Sequence, residues 1–381
     1  MAMRRIAVMM GAGSGYANGV MRGIAHYAIA YGPWEFYVQV PGLSIVSMRE
    51  WQMDGVIVPL RNEEYARVFR DRGIPVVNCS GMLKNPGVPT VRVNDAAAGR
   101  IAAQHLLERG FTRFGFAGFP GFDFSDVRRE GFEEVVRKAG HESFGYEADP
   151  SLRTEWTWDR QEEDLARWLA TLPKPIGIMG CNDERAWHVA EACRRIGIKV
   201  PEEVAIIGVD NDELRCEFSS PPLSSVAVPT ERFGYESAAL LDRLMNGKPA
   251  PAEPVLIQPQ GVVVRKSSDI LAVDDEELTR AFRCIRDHNG RPFDGRTIAR
   301  EVGAKAEDLD RRFRERLGRT LDEEIRRARV ERARRMLAET DLGLLHVAKA
   351  AGFGTPDRLR TALRRETGLA PAAYREKFRL R

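Results

Sequence analysis

The chain has 381 residues and 43% hydrophobic content, longer than one hydrophobic core usually grows, so two or three domains are expected. No stretch approaches the roughly 20 apolar residues that cross a bilayer, and Gly11, Gly13 and Gly15 interrupt the apolar start, which argues against a membrane span or signal segment and for the cytoplasm. Five scattered cysteines without a CxxC pair suggest neither a disulfide framework nor a zinc site, while the net charge of +3 hides an asymmetry: residues 1–273 hold 31 Lys+Arg against 35 Asp+Glu, and residues 274–381 hold 27 against 20.

From residue 1 to about 265, short β-branched runs alternate with helical patterns: IAVMM, EFYVQV, GVIVPL, PVVNC, TVRVND, FGFAGF, IGIMGCND, VAIIGVDND and VLIQPQGVVV. This alternation predicts an α/β fold with parallel sheets covered by helices. The runs at 55–60, 176–180 and 204–209 are almost continuously apolar, as strands buried on both faces require. Ligands of such sheets sit beyond the carboxyl ends of the strands. GAGSGY after the first run lacks the third glycine of a dinucleotide fingerprint, since Tyr16 occupies that position.

The character changes after Arg265. KSSDILAVDDEE reads as a linker over 266–276, and Arg-rich helices continue to the terminus. LDRRFRERLG at 309–318 aligns with LRTALRRETG at 359–368 at an offset of 50 residues, and each copy follows a short helix and a Gly-containing turn. That is the layout of two helix-turn-helix units. Between them one long helix is expected from Thr320 to Thr340, opened by a capping box of Thr320 and Glu323. Apolar positions Leu309 and Phe313, and Leu359 and Leu363, face the core. Glu307, Asp310, Arg311 and Arg314 in the first unit, and Asp357, Arg358, Thr361 and Arg364 in the second, remain outward as candidate DNA contacts. A solvated face on a small bundle is the competing reading of one unit alone. The repeat and the basic charge favour double-stranded DNA.

The tail carries L-x-R-x-F-R at Leu309, Arg311, Phe313 and Arg314, a turn at Ala348, Gly352 and Phe353, and the ending Gly368, Pro371, Tyr374 and Arg375. On these residues it resembles the AraC/XylS DNA-binding domain, with Leu359, Thr361 and Leu363 departing from that pattern. The first 265 residues contain QHLLERGFTRFGFAG, RREGFEEVVRKAG, GIMGCNDERA, IGIKVPEEVAIIGVDND and PPLSSVAVPTERFGYESAALLDRLM in order. They resemble the LacI/GalR effector domain of periplasmic-binding-protein type. The combination is similar to regulators of xylose operons.

These resemblances imply a two-lobed sugar-sensing domain over 1–268 and a DNA-binding domain over 277–381. They also imply a homodimer on operator DNA, RNA polymerase as a further partner, and a pentose such as xylose as effector of an activator. Asp183 and Asp210 match family positions that contact the sugar or hold neighbouring contacts in place, Arg128 matches the arginine that reaches ligand hydroxyls, and Asn182 and Tyr16 complete the candidate ligand set. Asp183 also suits a helix N-cap, Asp95 reads as a cap or interlobe residue, and Trp156 or Trp158 could line the pocket. The six scattered histidines give no catalytic or zinc spacing, so an enzyme, a cofactor and a metal are not expected. A transport-type solute receptor or a protein-interaction module is the alternative reading.

Overall fold

The structure is a computed structural model, and it describes residues 3–10, 13–38, 52–61, 63–146, 158–273, 275–288 and 293–378. Trp156 lies outside the described residues, as does the side chain of Trp158. The chain divides into two units. One comprises Met1–Gln104 and Arg113–Ser268, the other His105–Thr112 and Asp269–Arg381.

The first unit contains two lobes, each built on a parallel sheet. In lobe one the strands β1 (Arg4–Val8), β2 (Trp34–Val38), β3 (Gly55–Val58) and β4 (Val76–Asn78) lie in the order β2-β1-β3-β4, with helices α1 (Gly15–Tyr31) and α2 (Glu63–Arg70) between them in sequence. The strand β5 (Val91–Val93) leads into α3 (Asp95–Leu107) and on to lobe two. There β6 (Phe114–Ala117), α4 (Asp123–Lys138), β7 (Ser143–Tyr146), α5 (Trp158–Thr171), β8 (Ile176–Gly180), α6 (Asp183–Arg195), β9 (Val204–Asp210), α7 (Glu213–Phe218) and β10 (Ser224–Ala227) follow. Next, α8 (Thr230–Met245) returns to pack on α1 and β3, and β11 (Val255–Ile257) pairs with β5. Finally β12 (Gly261–Val263) closes the second sheet, order β12-β10-β9-β8-β6-β7, antiparallel to β10. β3, β6 and β8 are buried along their whole length, which is why their sequences carry no polar alternation.

Small residues let paired helices approach to backbone contact. A Cβ at Gly23 of α1 would lie 1.8 Å from the Glu231 carbonyl oxygen of α8, and one at Gly234 of α8 would lie 1.9 Å from the Val20 carbonyl. In lobe two a Cβ at Gly99 of α3 would meet the Arg128 carbonyl at 2.0 Å, and one at Gly131 of α4 would meet the Ala96 carbonyl at 2.2 Å. Each lobe therefore has one helix pair whose spacing no larger side chain permits.

Lys266–Ser268, expected as linker, is a short 3-10 turn built into the first unit. The Ser267 hydroxyl donates to the Ile206 carbonyl at 2.7 Å and the Ser268 hydroxyl to Ser224 Oγ at 2.8 Å. The cause is the run of serines, which serves buried backbone and side-chain acceptors within the stretch expected as linker. VLIQPQGVVV likewise divides into two strands that join different sheets.

Among the described residues of the second unit seven helices form two cores: α9 (Glu276–Asp287), α10 (Gly295–Val302), α11 (Ala306–Leu317), α12 (Leu321–Glu339), α13 (Leu344–Ala350), α14 (Pro356–Thr367) and α15 (Pro371–Phe378). The capping box at Thr320 and Glu323 is present, and Thr340 ends the helix. α12 supplies Leu321, Ile325 and Ala328 to the first core and Val330, Ala333 and Leu337 to the second. His105–Thr112 joins this unit through the Arg109 carbonyl, which accepts from Ala272 N–H at 2.8 Å, and the Glu108 carbonyl, which accepts from Arg319 at 2.6 Å.

Replacing Gly23 with Ala should force α1 and α8 apart and lower stability by about 3 kcal/mol, the upper range for overpacking. Thermal melting of the variant chain measures it, and a melting temperature equal to that of the parent would contradict the close approach.

Candidate functional site

The start of α3 and the carboxyl ends of β8 and β9 converge on one buried cation. Arg128, in α4, directs Nε to Asp95 Oδ1 at 2.9 Å, donates Nη1 to the Cys181 carbonyl at 2.6 Å and places Nη2 3.5 Å from Asp210 Oδ1. Its guanidinium carbon lies 5.0 Å from the centre of the Phe124 ring. Burial opposes its charge, but the carboxylates of Asp95 and Asp210 outweigh that and hold it protonated. Asp95 is fixed in turn by Arg92 at 2.9 Å, which also pairs with Asp123 at 2.8 Å. For Asp95 the sequence offers two roles, cap or interlobe residue. The cap is Asn94, whose side chain accepts from Ala97 N–H at 3.2 Å, and this frees Asp95 to serve as the counter-ion of Arg128.

Asp210 ends β9 at φ 108° and Asn211 follows at φ 53°, two consecutive non-glycine residues in the left-handed half of backbone space. Such conformations cost of order 1–3 kcal/mol each and persist where surroundings over-determine them. Burial pushes the Asp210 carboxyl up to about 6 against the pull of Arg128. Tyr16 approaches from the first turn of α1 in the opposite lobe, its ring 5.9 Å from that of Phe233, edge on. Burial first, and then the Asp210 carboxylate, raise its hydroxyl well above the usual range, so it lies within electrostatic reach of this cluster.

Asn182 and Asp183 take different parts, and the contacts of Asp183 are those of a residue that holds its neighbours in place. Asn182 is the N-cap of α6, its side-chain oxygen accepting from Arg185 N–H at 2.9 Å; its amide nitrogen has no partner among the described residues. Asp183 is buried, accepting from the Ser225 hydroxyl at 2.6 Å and from Asp212 N–H at 2.8 Å. Burial and the neighbouring Asp210 raise its carboxyl. Both its oxygens are engaged by protein, so its geometry is that of a support. Gly208 lies beneath it, where a Cβ would come within 2.2 Å of the carboxylate. Arg185, buried at 2% exposure, stacks 3.9 Å above Phe119 with Nε and Nη1 unpartnered among the described residues. Sequence reasoning missed Arg185, Ser225 and Asp212, because no local pattern separates them from ordinary helix and turn residues.

In the second unit α10 ends at Gly303, φ 76°, and turns into α11; α13 passes through Gly352 and Gly354, φ 83° and 75°, into α14. Most of the candidate DNA residues lie exposed on α11 and α14: Glu307, Arg311, Arg314, Asp357, Arg358, Thr361 and Arg364. Arg311 pairs with Asp308 and with Glu315 at 3.0 Å. Asp310 sits lower. It accepts from Leu321 N–H at 2.8 Å and pairs with Arg314 at 2.9 Å, joining α11 to the start of α12. The Thr361 hydroxyl donates to the Asp357 carbonyl at 3.0 Å.

Comparison with known proteins matches residues 103–268 to a periplasmic binding protein-like domain and residues 298–377 to a helix-turn-helix domain. The chain is 28% identical to the xylose operon regulatory protein of Escherichia coli K12, over 98% of this chain and 97% of the relative. It is 27% identical to that of Haemophilus influenzae, over 97% and 98%. A solved structure described as the xylose-binding transcription activator xylR covers all of both chains at 27% identity and a TM-score of 0.62.

Arg128→Met should lower stability by about 3–5 kcal/mol, because Asp95 and Asp210 lose a buried counter-ion. Denaturant unfolding at neutral pH is the measurement; a loss below about 1 kcal/mol would show that solvent already screens the cluster.

Proposed function

We propose that this chain, a sugar-responsive DNA-binding transcription regulator with a periplasmic-binding-protein-like effector domain and an AraC-type helix-turn-helix domain, binds a pentose such as xylose between its lobes. Occupancy then controls how a homodimer engages operator DNA. The observation that carries the sugar reading is the Arg128, Asp95 and Asp210 cluster at the strand ends, with Tyr16 of the other lobe within electrostatic reach. A polyol leaving water must recover several hydrogen bonds, and planar charged groups that are already oriented supply them without further ordering. In this reading Asp210 accepts from sugar hydroxyls, Arg128 and the Asn182 amide donate to them, and Tyr16 packs against the ring. Asp183, included in the ligand set from sequence, shapes the turn that presents Asp210. Xylose is the first choice of effector because full-length relatives regulate a xylose operon and the matched structure is named as xylose-binding.

On the DNA side, the 19 residues of α12 span about 29 Å at 1.5 Å per residue, close to one turn of B-DNA. α11 and α14 would then enter successive major grooves. Arg311 is assigned a base contact, and Arg314 and Arg364 phosphates, with Glu307, Asp357, Arg358 and Thr361 around them. The sugar acts only through its differential affinity for two arrangements of the dimer. Activation is inferred from the name of the matched structure, a transcription activator, and RNA polymerase as a partner and the cytoplasm as location belong to the same proposal.

A thermal-shift panel of pentoses and hexoses should single out xylose or a close relative. Asp210→Asn, which tolerates the left-handed backbone better than Ala, should leave the fold intact and cut calorimetric affinity for that sugar at least tenfold, to about the loss of one charge-assisted bond. Because the ionised Asp210 is the acceptor and its carboxyl is raised to about 6, affinity should be level above that pH and fall as acid protonates the group. An affinity that rises in acid would reverse the assigned role.

For DNA, Arg311→Ala should weaken operator binding about tenfold while leaving scrambled DNA nearly unaffected. Arg314→Ala should weaken both alike and reduce the salt slope by about one. Titrations at several salt concentrations decide it, and equal losses on both DNAs for Arg311→Ala would remove its base-reading role.

A further inference from the structure

The Asp212 carboxylate joins the two lobes. Its Oδ2 accepts the backbone N–H of Gly15, the first residue of α1 in lobe one, at 2.9 Å, while Oδ1 lies 3.5 Å from Arg215 N in α7 of lobe two. The first N–H groups of a helix have no partner within it and carry partial positive charge, so a carboxylate there is favourable. Asp212 can meet the start of α1 only while the lobes are together.

Asp212 is carried to this place by a chain of bonds within lobe two. Its own N–H donates to Asp183, the Ser225 hydroxyl donates to Asp183 as well, and Asn211 N–H donates to Ser225 Oγ at 3.0 Å. The turn that follows β9 is therefore fixed at each residue, including the two at positive φ. Gly15 matches it from the other side, since a Cβ there would stand 2.7 Å from Asp212 Oδ1.

We infer that Asp212 is a latch: a positioning residue outside the ligand set that holds the cleft closed and thereby sets how tightly and how long the effector is retained. Asp183 acts through it by orienting the turn. This inference rests on the reading that a sugar binds between the lobes. Within that turn Asp210 serves the ligand and Asp212, two residues on, serves the opposite lobe, so ligand contact and lobe closure share one rigid element.

The test uses the full chain and D-xylose, with calorimetry for affinity and stopped-flow for dissociation. Asp212→Ser keeps a side-chain acceptor for α7 but is too short to reach Gly15. Gly15→Ala leaves Asp212 and α7 intact but displaces the carboxylate from α1. Both should weaken xylose roughly tenfold, mainly through faster dissociation, and Asp212→Asn, which retains an acceptor oxygen at the same reach, should recover most of it. Parent-like affinity in both Asp212→Ser and Gly15→Ala overturns the latch. Should Asp212→Ser fail to fold, Gly15→Ala alone decides. A parent chain that takes up no xylose overturns the binding reading for that sugar and the latch with it, so the parent titration separates the two failures.

Discussion

A buried guanidinium is the constraint on which the effector domain is organised. Arg128 cannot stay charged away from water unless its donors are met, and they are met by Asp95 at the start of α3, a carbonyl after β8 and Asp210 at the end of β9. Three elements are thus tied to one side chain. The glycines at positions 99 and 131 let α3 and α4 close to backbone contact, which sets Arg128 at bonding distance from Asp95. The left-handed turn at Asp210 and Asn211 persists because Ser225 and Asp183 hold the backbone on either side. Packing, strain and charge are parts of a single arrangement whose open side faces the other lobe.

The two halves of the molecule use charge in opposite ways. At the strand ends of the effector domain the side chains of Arg128, Asp95 and Asp183 are buried, so each lost partner costs much and geometry is enforced. On α11 and α14 the side chains of Arg311, Arg314 and Arg360 are solvated and rest against acidic neighbours one turn away, as Arg311 does with Asp308 and Glu315. Exposed pairs of that kind contribute little, so exchanging them for phosphate or base acceptors has a small cost. The acidic neighbours also weaken attraction to polyanions met in the wrong register.

The layered architecture and the two helix-turn-helix units were legible in the sequence because both depend on periodicity. The runs at 55–60, 176–180 and 204–209 read as buried strands and are β3, β8 and β9, and the repeat at an offset of 50 residues marks α11 and α14. The site was legible at the level of position and less so at the level of role. Asn182 and Asp183 are adjacent, and only the fold shows that Asn182 caps α6 while Asp183 turns inward to Ser225, 42 residues further on. Asp95 looked like a cap because it opens a helix, yet Asn94 does the capping. Asp310 looked outward on a helical wheel, yet α12 begins beside it and supplies a backbone N–H. In each case the deciding partner is distant in sequence, and local pattern does not encode it. The serines at 267 and 268 misled for the same reason, since their acceptors lie on Ile206 and Ser224.

The helix α12 has a consequence for how such a chain can change over generations. It belongs to both cores of the DNA-binding domain, giving Ala328 to one and Val330 to the other with a single residue between them. An inserted or deleted residue in it would turn one unit about 100° against its neighbour and shift it by about 1.5 Å, facing polar side chains into a core. Only changes near a whole turn, three or four residues, approach the original facing, and these displace the second unit by about 5 Å along the helix axis. Spacing between the two helix-turn-helix units is therefore quantised by helix geometry. Exchange of the exposed side chains of α11 and α14 is more accessible than a change in the distance between them.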